Sequence, residues 1–239
     1  MCTMAWGEDS GKLWVCFNRD EQRTRPEAEE FALHAGPNGP VAYARDPKGG
    51  GTWFAVSSRG FVVALLNAYL TDENKDAEGV QSRGLLVKEL VLCDSLTMAI
   101  GRFSGLDLSP YSPFHLFLMG PGSRHGFRWD GKRLTPDDSP APFRTTSSRD
   151  TLAVVNWRRQ WWKGQSGHSM KGSVVAEKLR MRHGENPAFG TTMDREDART
   201  VSQILVELEE DSFTALYRQR ETDGAGFREP TRVCYPATR

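Results

Sequence analysis

The chain has 239 residues, with 31 basic and 31 acidic side chains and a formal net charge of zero at pH 7. This length suits one large domain, and we interpret residues 1–239 as a single domain with an irregular tail from about residue 221. Balanced charge excludes a global field that would attract nucleic acid or an anionic membrane. No signal-peptide run opens the chain and no segment approaches the roughly 18 apolar residues of a membrane helix, so we expect a cytoplasmic protein.

The four cysteines are widely separated and none forms a CxxC pair, which predicts reduced thiols and neither a metal site nor a cofactor. Cys16, Cys93 and Cys234 are interpreted as small packing residues. Cys2 is different because removal of Met1 would leave its thiol and a free α-amino group on one residue. An amine with a pKa of about 8 can take the proton from a thiol with a pKa of about 8.5. The pattern is typical of a nucleophile that carries its own base.

The first two predicted strands bring polar side chains to this cysteine. The segments 2–6 and 12–18 are β-prone, and the turn residues between them predict a hairpin centred near Asp9 and Ser10. In that register Cys2 lies opposite residues close to Phe17 and Asn18. The polar group that follows would then emerge beside the thiol, where a guanidinium favours thiolate and a carboxylate orients the amine. Its members are Asn18, Arg19, Asp20 and Glu21.

A second hairpin is predicted from two apolar runs, 53–57 and 61–67, that flank Ser58-Arg59-Gly60. The three glycines before it, 49–51, suit close backbone approach or left-handed dihedral angles. Asn67 ends the second run. An Asn at this position either makes a turn or, in a hydrolase, donates its side-chain N–H to a developing oxyanion.

The remaining chain alternates helical and strand patterns, which favours an α+β layered domain over a doubly wound fold. His115 falls within a strand and is interpreted as packed. The predicted elements are helices 81–93, 95–103, 150–162 and 174–182, strands 114–119, 126–129, 132–134, 200–208 and 212–218, and a loop over 137–148.

The helix over 150–162 interleaves basic and aromatic residues, with Trp157, Arg158 and Trp162 among them. Such a helix could stack on a nucleic acid strand. With no net positive charge, packed tryptophans and solvated arginines are the favoured interpretation, and no nucleic acid partner is expected.

Several motifs in order resemble the NRDE-domain family, whose eukaryotic members are of the transport and Golgi organisation protein type. The match is dense over roughly the first seventy residues, and the ordered spacing of several motifs argues against chance. The residues that carry it are Met1-Cys2-Thr3, Asn18-Arg19-Asp20-Glu21, Arg25-Pro26, Arg45-Asp46, Gly50-Gly51-Thr52-Trp53 and Leu66-Asn67.

That family is similar to cysteine N-terminal-nucleophile hydrolases of the choloylglycine hydrolase and penicillin acylase type. The resemblance implies a four-layer αββα fold, two antiparallel sheets between helix layers, with Cys2 opening a central strand. It gives Arg19 the role of the site arginine, Asp20 or Glu21 that of the carboxylate, and Asn67 that of an oxyanion donor. A second family Asn is replaced here by Thr146-Ser147-Ser148, so Ser147 or Ser148 would supply that hydrogen bond.

The leading hypothesis is an amidohydrolase that uses Cys2 to cleave, or transfer an acyl group from, a non-peptide C–N bond in a small-molecule substrate. The alternative is a non-catalytic binding or trafficking protein for a hydrophobic ligand such as haem or an acyl group. Neither a metal, a nucleic acid nor a membrane partner is expected. The sequence leaves the oligomeric state open, a homo-oligomer included.

Overall fold

The computed structural model describes residues 1–69, 80–137, 141–165, 170–222 and 226–236. Most strands and helices in this part of the chain follow one another in the order that the sequence predicted. The elements are β1 Cys2–Asp9, β2 Lys12–Gln22, β3 Ala32–His34, β4 Val41–Tyr43, β5 Phe54–Ser57, β6 Phe61–Asn67, α1 Gly84–Val91, α2 Leu96–Ser104, β7 Phe114–Gly120, β8 Ser123–Trp129, β9 Leu134–Asp137, β10 Phe143–Thr145, α3 Thr151–Gln165, α4 Gly172–Lys178, β11 Ala198–Leu208, β12 Phe213–Gln219 and β13 Thr231–Tyr235.

The strands form two antiparallel sheets. The first has the order β10-β1-β2-β11-β12-β13 and the second β3-β4-β5-β6-β7-β8-β9. Consecutive strands are neighbours throughout the second sheet, and the long connection between β6 and β7 carries α1 and α2. In the first sheet, β1 and β2 lie between strands from the later half of the chain. The opening hairpin therefore sits inside the sheet and not at its edge.

The two sheets pack face to face, with one helix pair on each outer face. Alternate residues of β1 and β2, including Met4, Trp6 and Phe17, point into the apolar layer between the sheets. The opposite faces contact the helices: Cys16 packs with α4, and Leu65 with α1. This is the four-layer αββα arrangement that the resemblance implied, and the α+β prediction is confirmed.

The opening hairpin has a different register from the predicted one. Its loop consists of Ser10 and Gly11, both with positive φ, and Asp9 pairs with Lys12. A two-residue loop with two left-handed residues follows the right-handed twist of the strands. Moving the centre by one position moves the partner by two, so Cys2 lies opposite Arg19, one residue beyond the predicted neighbours Phe17 and Asn18.

The glycine segment allows the close approach that its sequence indicated. Gly50 has a φ of 68°. A Cβ on Gly51 would lie 2.2 Å from the carbonyl carbon of Gly84, so the backbones touch where α1 begins. The Thr52 N–H donates to the Gly84 carbonyl at 3.0 Å, which fixes the start of α1 beside Trp53.

Two segments that the sequence predicted as irregular are strands. Residues Phe143–Thr145 lie within the predicted loop over 137–148 and pair with β1, while Thr231–Tyr235 lies in the predicted tail and pairs with β12. Both are short edge strands whose pairing depends on the neighbouring strand, so their local sequence carries little signal.

Trp162 and Arg158 of α3 serve packing, so the interpretation of solvated arginines is wrong for Arg158, whereas Arg159 is exposed. Trp162 stacks on Phe143 with ring centroids 4.9 Å apart, and Arg158 is fully buried. The Arg158 guanidinium donates to Thr145 Oγ1 and to the Ala188 carbonyl, at 2.9 and 2.8 Å. Trp162 and Arg158, which a nucleic-acid-binding helix would expose, are therefore buried inside the fold. Helices in the described part of the chain are all too short or too polar to cross a membrane.

Candidate functional site

A cavity of about 760 Å³ opens where β1 begins and where β2 and β6 end. Its walls come from both sheets and from the start of α1, so residues distant in sequence meet there. Among the predicted site residues, six line it: Cys2, Arg19, Asp20, Glu21, Asn67 and Ser148. Asn18 and Ser147 are absent from its lining. Within the described residues, no group of three or more His, Cys, Asp or Glu side chains is arranged to hold a metal ion.

Strand alternation places Arg19 on the face between the sheets, the same face as Cys2. Its guanidinium lies 3.8 Å from the ring centroid of Trp53 and donates to Glu21 Oε2 at 3.0 Å. Both contacts hold a planar cation in one orientation beside the thiol. Glu21, two residues along the same face, is thus the carboxylate that pairs with Arg19.

Asn18 points to the opposite face of the sheet. Its side-chain nitrogen donates to the carbonyls of Leu179 and Thr191, at 2.7 and 2.8 Å. Its oxygen accepts from Gln203 Nε2 at 3.0 Å. Every polar atom of this buried amide is engaged in joining β2 to the segment after α4. Asn18 is therefore a structural residue of the site's scaffold, in contrast to the supporting role that its sequence position suggested.

Asp20 is buried and only half engaged. Thr200 Oγ1 donates to its Oδ1 at 2.5 Å, whereas Oδ2 is buried with no hydrogen-bond partner among the described residues. Its backbone N–H donates to the Met1 carbonyl at 3.0 Å. Buried carboxylate oxygens are rarely left without a donor, so Oδ2 is available to a donor that arrives at the chain start.

The hydroxyl groups of Tyr69 and Thr146 hold the chain start, and Asn67 supports Tyr69. The Met1 α-amino group donates to the Tyr69 hydroxyl at 3.3 Å, and Asn67 Nδ2 donates to the same oxygen at 3.4 Å. The Cys2 amide N–H donates to Thr146 Oγ1 at 3.2 Å. The Cys2 nitrogen, which would be the α-amino group after loss of Met1, thus already has a hydroxyl acceptor.

The Met1 side chain fills part of the site. It is buried against Met193 and Ala198, and its Sδ lies 3.5 Å from Ser147 Oγ and 3.4 Å from Arg195 Nη1. Ser147 Oγ also donates to the Arg149 carbonyl at 2.6 Å. Removal of Met1 would free these apolar and polar surfaces together.

Ser148 is reached from the other side of the cavity by Arg195, whose Nη2 donates to Ser148 Oγ at 3.3 Å. The Arg195 guanidinium is itself oriented by Asp197, which accepts two of its N–H groups at 3.0 and 2.9 Å. Ser148 therefore belongs to a polar wall built on an Arg–Asp pair. Ser147, in contrast, faces Met1.

Burial controls the protonation of both groups at the chain start. Burial raises the pKa of the Cys2 thiol to about 11, although the terminal cation and Arg19 oppose the shift. Burial by itself would lower the pKa of the Met1 α-amino group, but the charges of Tyr69 and Cys2, with smaller contributions from Asp20 and Glu21, raise it to about 10. With Met1 in place the resting pair is a thiol and an ammonium ion.

Sequence reasoning missed three residues of the cavity, Tyr69, Arg83 and Arg195, and gave no separate role to Thr146. Tyr69 lies two residues beyond Asn67, so a period of two from the strand end could have indicated it. Thr146 directly precedes the serines that were considered. Arg83 and Arg195 lie outside any recognisable motif, and only the fold brings them to the cavity.

A cysteine at the start of a central strand, facing a polar cavity in a four-layer αββα domain, defines the N-terminal-nucleophile hydrolase fold. A solved structure of this class, the Caenorhabditis elegans N-acylethanolamine-hydrolyzing acid amidase ortholog, superposes with a TM-score of 0.61. The identity is 13%, and the match covers 86% of this chain and 92% of that one. The chain belongs to the family described as Transport and Golgi organisation 2, whose family model matches residues 1–218. No curated protein matches the chain significantly.

Proposed function

We propose that this protein is a cysteine amidohydrolase that cleaves a non-peptide C–N bond with Cys2 after loss of Met1. The observation that carries the proposal is the position of the Cys2 nitrogen and thiol. Both belong to the first residue of a central strand, the thiol lies in the wall of the cavity, and the nitrogen already contacts Thr146 Oγ1. Support for the reaction class comes from the fold shared with an amidase.

The reaction proceeds through a thioester. The α-amino group of Cys2 takes the thiol proton, and the sulfur forms a bond to the substrate carbonyl carbon, which moves the C=O electron pair to oxygen. As the oxyanion collapses, the C–N bond breaks. The Cys2 α-ammonium group gives its extra proton to the departing nitrogen, which leaves as an amine. Water then attacks the thioester carbon, gives a proton back to Cys2 and releases a carboxylic acid.

Asn67 and Asp20 act on different parts of this sequence. Asn67 Nδ2 is the oxyanion donor at the end of β6, and its contact with the Tyr69 hydroxyl fixes its direction. Asp20 Oδ2, buried and without a partner among the described residues, accepts from the new α-amino group and orients its lone pair toward the thiol. Arg19 is a positioning residue, since Glu21 and Trp53 hold its charge beside Cys2.

Met1 prevents the reaction for as long as it remains on the chain. While it remains, the Cys2 nitrogen is an amide without basicity and the thiol has a pKa of about 11, so little thiolate exists near neutral pH. Cleavage after Met1 creates the base, and it also vacates the space beside Ser147 and Met193 for substrate.

The charge of the cavity favours a polar substrate over a flat apolar ligand such as haem. Among the described lining residues, six are basic and four are acidic: Arg19, Arg25, Lys48, Arg83, Arg149 and Arg195 against Asp20, Glu21, Asp46 and Asp197. Apolar cofactor sites are instead lined mainly by hydrophobic and aromatic side chains.

The test is turnover of small amides by the processed chain. We expect hydrolysis of at least one member of a panel of N-acyl amines, N-acyl amino acids and lactams, and loss of that turnover in Cys2→Ala. Cys93→Ala is the matched control, because Cys93 is a half-buried thiol outside the cavity. Full turnover in Cys2→Ala would overturn the proposal, as would activity that is equal with and without Met1.

A further inference from the structure

Arg83 is a half-buried cation of the cavity that the proposed reaction does not use. Arg83 immediately precedes α1 and lines the same cavity as Cys2. Its Nη1 donates to the Pro113 carbonyl at 2.8 Å. The backbone on either side is fixed, since the Arg83 carbonyl accepts from Leu86 and the Gly84 carbonyl from Thr52. The guanidinium is therefore held in place on the cavity wall.

Among the described residues, Arg83 differs from the other arginines of the cavity in having no carboxylate partner. Arg19 pairs with Glu21, Arg25 with Asp46, and Arg149 and Arg195 both pair with Asp197. Within the described ranges, no carboxylate lies within ion-pair distance of Arg83. Lys48 also lacks one there, but Lys48 is exposed, so water solvates its charge.

A half-buried guanidinium that has no carboxylate partner among the described residues costs free energy unless a ligand neutralises its charge. Burial lowers the pKa of Arg83, and the charges of Tyr69, Cys2 and, to a smaller extent, Glu21 oppose the shift, which places the group within electrostatic reach of the nucleophile. Its one carbonyl contact satisfies a donor but does not neutralise the charge. A carboxylate would do both, through two parallel N–H···O bonds.

We infer that Arg83 binds a carboxylate of the substrate, so that the enzyme acts on N-acyl amino acids or similar acidic amides in preference to neutral amides. This inference rests on the proposed function of the same cavity and adds the substrate class. Arg83 contacts the substrate away from the reacting carbonyl, so its contribution is to binding and orientation.

The experiment compares two ligands that differ only in the anionic group, N-decanoylglycine and N-decanoylethanolamine. Their affinities are measured by calorimetry on the processed Cys2→Ala chain, where no turnover interferes, and their kcat/KM values on the chain that keeps Cys2. We expect the acid to bind about 10- to 100-fold more tightly than the alcohol, as charge-assisted pairs allow. Arg83→Gln should bring the ratio close to one, and Arg83→Lys should restore part of it.

Arg133→Gln is the control, because Arg133 is an exposed arginine beyond β8 and outside the cavity. An unchanged ratio in Arg83→Gln, with or without a lower melting temperature, would overturn the inference and leave Arg83 a role in packing. Turnover of both amides without preference for the acid would also overturn it while sustaining the proposed hydrolase. Acid-selective, Arg83-dependent binding without any turnover would sustain the subsite and refute the hydrolase. Failure of both ligands to bind would refute the inference.

Discussion

Replacement of Asn18 by Ala is expected to weaken the fold without disabling the thiol. Asn18 makes three buried hydrogen bonds, to Leu179, Thr191 and Gln203, and none of its atoms lines the cavity. A variant that lacks this side chain should therefore separate the scaffold of the site from its chemistry.

The magnitude follows from what each partner retains. The Leu179 carbonyl keeps the hydroxyl donors of Thr191 and Thr192, and Gln203 Nε2 keeps the Ala176 carbonyl. Three net hydrogen bonds at about 1 kcal/mol each give a loss of about 3 kcal/mol in the free energy of unfolding.

The assay is urea denaturation of the parent, Asn18→Ala and Asn38→Ala. Asn38 is exposed and makes a single bond, to the Leu92 carbonyl, so its replacement should cost about 1 kcal/mol or less. Alkylation of Cys2 by iodoacetamide should proceed at similar rates in folded parent and folded Asn18→Ala. Equal losses of stability in the two variants would refute the reasoning, and so would a selective loss of Cys2 reactivity in folded Asn18→Ala.

Three further predictions concern ionisation and catalysis. In a chain that keeps Met1, the rate of Cys2 alkylation should rise about tenfold per pH unit up to a pH of about 11, and a plateau near pH 8 would contradict burial as the cause. Burial lowers the pKa of His115 from 6.5 to about 3. Between these two pH values the imidazole is protonated in the unfolded chain and neutral in the folded chain. Stability should fall as pH decreases through that window, by at most about 1.4 kcal/mol per unit, and His115→Leu should flatten the fall in acid denaturation curves. In the processed enzyme, Asn67→Ala should lower kcat about 100- to 1,000-fold while leaving Cys2 alkylation intact; undiminished kcat would remove Asn67 from the oxyanion site.

Local sequence patterns were sufficient to predict most of the elements that carry the site. The hairpin from Cys2, the strand that ends at Asn67 and the helix predicted over 95–103 all have short-range causes. Turn residues, alternation and capping act within a few positions, so a single sequence contains them. These elements, joined by the resemblance, gave the two-sheet architecture.

Register and partner choice were harder to predict because they depend on the whole sheet. A shift of one residue in the hairpin loop moved the partner of Cys2 to Arg19. Because successive side chains of β2 point to opposite faces of the sheet, Arg19 and Glu21 lie on one face and Asn18 and Asp20 on the other. The composition of the segment does not indicate which face is which. The edge strand at Phe143–Thr145 forms by pairing with β1, and it was missed for that reason.

The residues that surround the chain start were the least predictable. Arg195 and Arg83 line the cavity and Thr146 contacts the Cys2 nitrogen, and each of the three lies more than 80 positions from Cys2 in the sequence. Their roles follow from contacts such as Cys2 N–H to Thr146 Oγ1 and Arg195 to Met1 Sδ. Such contacts form only when the sheets and helices pack together, so the periodicity of the sequence does not predict them.

The most direct test of the central claim is the intact mass of the protein before and after reaction with a hydrolysable amide. The account predicts a mass lower by one methionine residue and, on rapid acid quench, an acyl adduct that fragmentation assigns to Cys2 and hydroxylamine removes. Cys2→Ser would form an ester that resists neutral hydroxylamine, and Cys2→Ala would form no adduct. Turnover by a chain that retains Met1, or an adduct on any residue other than Cys2, would contradict the account.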